Sequence, residues 1–151
     1  MECGVVGIES EVERGREMEE GDKGAGTPIR VGCDDRTKEG WAMATNMKGP
    51  TGSAVKRITR KIDEAGCRGV KVVLKSDQDE SIIALKNAVA IMRQAPTVNI
   101  ESPVRDSQAN GNAERAVRTW AAQLRTMRHH MEFRMQSKIP IHCPLMTWLV
   151  S

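Results

Sequence analysis

The order of segments along the chain predicts an α/β fold. Short apolar or alternating runs at 28–33, 41–47 and 69–75 read as strands. Apolar residues at helical spacing mark two amphipathic helices, and a long helix follows at 113–133. Strands that alternate with helices build one sheet covered by helices. A chain of 151 residues is long enough for one such core.

Each element has its own local reason. Residues 1–8 read as a first core strand, and residues 9–26 as an acidic, glycine-rich loop or linker with almost nothing to bury. The single domain then runs over 27–151. Its first strand, 28–33, alternates in polarity, the turn-forming run Asp34 to Gly40 reverses the chain, and 41–47 completes a hairpin. Gly49 to Ser53 breaks the chain and offers an N-cap at Thr51 or Ser53. Val55, Ile58, Ile62 and Ala65 share one helical face, which ends at Gly66. The apolar strand 69–75 leads straight to Asp77. Ile82, Leu85, Val89 and Met92 mark the next helix, 97–100 is another short strand, and 102–112 is a polar loop before the long helix.

Composition bounds the function. Hydrophobic residues make up 39% of the chain and the only aromatics are three Trp and one Phe, so the core must be aliphatic and Met-rich. So few rings argue against a protein that stacks single-stranded bases on an aromatic platform. The net charge of +3 hides an asymmetry: residues 1–26 hold eight acids and three bases, the rest twelve acids and twenty bases. A basic body suits a polyanionic partner. Cys3, Cys33, Cys67 and Cys143 form no C-x-x-C pair and read as reduced thiols of an intracellular protein. His129, His130 and His142 have no metal-ligand spacing to them. No apolar run approaches 18 residues and no signal peptide is visible, so neither a membrane partner nor secretion is expected. Gly49 to Ser53 lacks the Lys-Ser/Thr of a phosphate loop.

The chemistry concentrates in two carboxylates. Asp77 lies just past a buried strand, and Glu114 opens the long helix after the Asn110-Gly111 hinge, with 36 residues between them. Singly, Asp77 reads as a turn or cap carboxylate and Glu114 as a helix-dipole acid. Together they suggest a two-metal phosphoryl-transfer site. On the helix wheel Val117, Trp120, Leu124, Met127 and Met131 form one stripe. Glu114, Arg118, Arg125 and His129 fall on another face, where the cations can meet phosphates.

Asn110-Gly111-x-x-Glu114-Arg115, with Ser102-Pro103 upstream, resembles the end of the catalytic core of retroviral and retrotransposon integrases. The resemblance covers roughly 29–133. It implies an RNase H-like fold, a mixed sheet flanked by helices with a shortened N-terminal strand. It also implies Mg²⁺- or Mn²⁺-dependent DNA strand transfer, a nuclear location, and a homodimer. Asp77 and Glu114 would be metal ligands, and Gln108, Asn110, Arg115, Arg118, Arg125 and His129 would contact DNA. The family carries the second acid within a Ser-Asp-x-Gly pattern; here Asp79 replaces the glycine, adding an acid and straining the turn.

The resemblance also asks for an acid in the first strand. Glu2 is preferred, and Asp34 and Asp35 are its rivals; placing Asp35 there would cost the fold a strand. Glutamate displaces the carboxylate by on the order of 1 Å, enough to cost about 100-fold in a preorganised site. A second reading is therefore a catalytically inactive remnant of a transposable element that binds nucleic acid or only folds.

Overall fold

The structure is a computed structural model that describes the backbone of residues 2–12 together with residues 28–45, 47–103, 111–140 and 143–150. Five strands form one sheet in the order β3-β2-β1-β4-β5, with β1 at Glu2–Val12, β2 at Pro28–Asp34, β3 at Gly40–Ala44, β4 at Lys71–Ser76 and β5 at Thr97–Glu101. β1, β2 and β3 pair antiparallel, whereas β4 lies parallel to β1 and β5 parallel to β4. The mixed sheet follows from the connections. A short turn joins β2 to β3, and helices α1 (Gly52–Ile62) and α2 (Glu80–Arg93) carry the crossovers to β4 and β5.

α1 starts where Thr51 accepts the Ala54 N–H at 3.2 Å. It ends in a π-turn, Asp63–Cys67, whose Gly66 has φ +84, a left-handed conformation suited to glycine. α3 (Gly111–Met135) and α4 (Pro144–Val150) complete the chain.

The helices cover both faces, as the sequence predicts. On one face α1 and α2 close over Met43, Val72 and Leu74 with Val55, Ile58, Ile62, Ile82, Leu85 and Val89. On the other, Leu124 of α3 and Met146 of α4 pack with Ile29, Val31, Ala42 and Ala44. The core is aliphatic. Trp41 is partly buried and lies across Gly32; a Cβ at Gly32 would fall 2.2 Å from the indole ring.

Three features differ from the sequence reading. β1 continues to Val12, so residues 9–12 are strand rather than linker. Beyond Gly7 the strand pairs with β2 alone, where polar residues are tolerated at an edge. α4 was not foreseen, because its apolar residues are too few to show a period; Met146 nonetheless is buried, as is Ile139 before it. Cys67 is disulfide-bonded, against the expectation of four reduced thiols, whereas Cys33 and Cys143 are free.

Candidate functional site

Asp77 leaves the carboxyl end of β4 at a corner tied down on both sides. The buried Ser76 hydroxyl donates to the Asp77 carbonyl at 2.8 Å, and Asp77 Oδ1 accepts the Asp79 N–H at 3.2 Å. The Ser102 N–H donates to the Ser76 carbonyl at 2.8 Å, and Gln78 Nε2 donates to the Ser102 carbonyl at 3.4 Å. Ser102-Pro103, noted in the sequence, is thus fastened beside Asp77.

Asp79 does not strain this turn. Its backbone is extended (φ −64, ψ 119) and its carboxylate caps α2, accepting from the Ser81 N–H at 2.8 Å and the Ser81 hydroxyl at 2.5 Å. The Ser81 hydroxyl, and then the backbone N–H groups, hold its pKa below the usual carboxylate range. The expectation of strain is corrected: the position needs a cap rather than a left-handed residue.

Glu114 lies in the first turn of α3, half exposed, with Arg118 Nη2 3.6 Å from its carboxylate. Asn112 Nδ2 donates to Asp35 Oδ1 at 2.8 Å, which anchors this end of α3 to the β2–β3 turn. Arg115, Arg118, Arg125 and His129 are exposed along the helix. Arg115 and Arg125 have no acidic partner among the described residues, so their charge is available to a polyanion. Gln108 and Asn110 lie outside the described residues.

Glu2 cannot complete the set. It pairs with Lys71 at the start of β4, six residues before Asp77, so about 20 Å of strand separates the two positions. Asp34 and Asp35 do not replace it. Asp34 accepts the Arg36 N–H at 2.8 Å and the Thr37 hydroxyl at 3.1 Å to close its turn, and Asp35 holds Asn112. Carrying the Gly7–Lys75 register forward by two residues brings Glu9 level with Asp77. Sequence reasoning missed it because Glu9 sits among the acids of 9–26; the alternation Ile8-Glu9-Ser10-Glu11-Val12 was the available signal.

Two buried cations lie within electrostatic range of Asp77. Lys86 of α2 is fully buried and its Nζ donates to the Ile100 carbonyl at 2.8 Å. Burial pulls its pKa down, while the charges of Glu101 and Asp77 oppose that shift. Arg30 of β2 is also fully buried, and Nε, Nη1 and Nη2 have no hydrogen-bond partner among the described residues. Burial lowers its pKa too, against Asp79 and Asp77. Among the described residues no three His, Cys, Asp or Glu side chains group to hold an ion. Two buried cations within electrostatic range of Asp77 work against a centre that must bind two divalent ions.

No protein-family model and no curated protein sequence matches the chain. Solved structures do match in fold. A chain of the simian T-cell lymphotropic virus intasome, determined with the PP2A regulatory subunit B56 gamma, aligns over 99% of this chain at 9% identity and TM-score 0.64. This chain spans about half of that one, 47% of its length. The BIV integrase catalytic core domain aligns at 14% identity and TM-score 0.56, with 82% of it covered. The HTLV-2 integrase catalytic core domain, crystallised with magnesium in a trimeric form, aligns at 6% identity and TM-score 0.54, with 84% covered. At these identities the likeness is one of fold: the chain has the architecture of a retroviral integrase catalytic core, RNase H-like as the sequence implied.

Proposed function

We propose that this chain is an integrase-core module of a retrotransposon, a nuclear protein that binds DNA in integration, and that in it the DNA-binding face has outlasted the metal centre. The observation that carries this reading is the placement of α3. The helix starts at the β2–β3 turn and puts the half-exposed Glu114 in its first turn and Arg115, Arg118, Arg125 and His129 on its open side. An exposed arginine ridge on a helix contacts phosphates without reading bases, so binding should be sequence-tolerant.

A second reading, Mg²⁺- or Mn²⁺-dependent strand transfer, is supported by one observation: Glu9 is level with Asp77 by register. Fluorescence anisotropy on duplex DNA over a salt series tests the first reading, with Arg115→Ala and Arg125→Ala each expected to lower the slope of log affinity against log salt by roughly one. A salt-independent affinity would remove DNA binding from the account. Mn²⁺-dependent joining that vanishes in Asp77→Asn, Glu114→Gln and Glu9→Gln would favour the second.

A further inference from the structure

The fully buried guanidinium of Arg30 has no role in the DNA-binding face and no hydrogen-bond partner among the described residues, and a buried cation so placed demands a reason. Its place in the sheet supplies one. Arg30 pairs with Ser10 of β1, three residues past the Gly7–Lys75 pair, and so lies toward the end of the sheet where β4 stops at Ser76 and Asp77 to Asp79 turn into α2. Ile29 and Val31 belong to the core under α3 and α4, so alternation turns Arg30 to the opposite face. Met43, its cross-strand neighbour, lies in the core beneath α1 and α2. Asp79 begins α2 on that same face, and Lys86 lies about two turns further along the helix. Two strand spacings, about 10 Å, separate β2 from β4, a span that an arginine side chain largely bridges.

We propose that Arg30 is an internal counter-ion for Asp77 and Asp79, taking up the negative charge that a divalent cation would otherwise meet, so that the fold closes without metal and binds it weakly. Lys86, fully buried on α2 with its Nζ bonded to the Ile100 carbonyl, adds a second buried cation on the helix that Asp79 caps. An incoming ion would displace neither, since both are held by packing rather than by solvent-exposed chains. The consequence is a site whose metal affinity is set from beneath the sheet by a residue that is not a ligand. The inference rests on Asp77 being a ligand position, but it is independent of DNA binding, because its readout is metal affinity.

The test is Mn²⁺ titration of the full chain followed by electron paramagnetic resonance of the free ion, without DNA. Wild type, Arg30→Met and the double variant Arg30→Met/Asp77→Asn are compared, with circular dichroism confirming the fold. Wild type should bind only at millimolar Mn²⁺. Arg30→Met should bind on the order of tenfold tighter, given the coulombic cost of one unit charge within several ångströms. The double variant should lose that gain. A folded Arg30→Met with unchanged or weaker affinity overturns the proposal, as does a gain that survives Asp77→Asn. If Arg30→Met does not fold, the wild-type titration decides: micromolar affinity overturns the proposal, and millimolar affinity supports it.

Discussion

Asn112 and Asp35 are 77 positions apart in the chain and joined by a 2.8 Å hydrogen bond from Nδ2 to Oδ1. This bond fixes the start of α3, and so Glu114 two residues on, against the β2–β3 turn. Asn112→Ala should cost about 1 kcal/mol. Hydrogen exchange in the first turn of α3 should quicken while α1 and α2 stay protected. Equal protection in both proteins would show that packing of Ala113 alone sets the helix.

Arg30 buries a charge without a hydrogen bond, which the fold tolerates at a cost. Arg30→Met keeps the volume but takes the counter-ion from Asp77 and Asp79, so it should destabilise the protein, by at most about 3–5 kcal/mol. Urea denaturation should show a lower midpoint with an unchanged slope. A higher midpoint would mean that the cost of burying the guanidinium outweighs its attraction to the two carboxylates.

Gly32 is required by its neighbour. The Trp41 indole occupies the space a Cβ would take, 2.2 Å away at the nearest ring atom. Gly32→Ala must push the ring aside, destabilising by about 1–3 kcal/mol. A red-shifted Trp emission should accompany the loss. Stability within error of wild type would show that the ring moves freely.

Glu132 sets an acid limit. Its Oε1 accepts the Ile139 N–H at 2.9 Å and lies 3.1 Å from Arg128 Nε. The Ile139 N–H first, and the Arg128 charge after the opposing effect of burial, hold its pKa below the usual carboxylate range. A depressed folded pKa contributes stability that is present above the unfolded value, about 4.3, and is lost as pH falls through the folded value. Glu132→Gln should therefore cost roughly 1 kcal/mol at neutral pH. It should also flatten the decline of the melting temperature on the acid side. An acid limb identical to wild type would assign that decline to other carboxylates.

The sheet and the two outer helices were legible because their apolar residues keep a period: Val55, Ile58 and Ile62 along α1, and Ile82, Leu85 and Val89 along α2. Asp77 was legible because a buried strand runs straight into it. Glu9 was not, since a strand made of alternating acids resembles a linker until its partner β2 is known. Asp79 was read through the glycine it replaces in the resembled motif, whereas its Ser81 partner marks a helix cap. Arg30 reads in sequence as an ordinary polar position of a strand. Only the two faces of the sheet, both covered, reveal that nothing there meets water.

The order of the strands also sets a timetable. β1 lies in the middle of the sheet, yet it is the first of the five in the chain, and its parallel partner β4 comes 68 residues after it at the Val5–Val73 pair. β2 and β3 can zip onto β1 locally as a three-stranded ribbon. The second side of β1 must wait until α1 has formed and β4 has been delivered, a contact of long loop and slow closure. During that interval the central strand is an open edge, inviting pairing with any other extended chain. The segment that β4 must cover is Glu2 to Gly7, where Glu2 is the one charge to discourage such partners until β4 arrives.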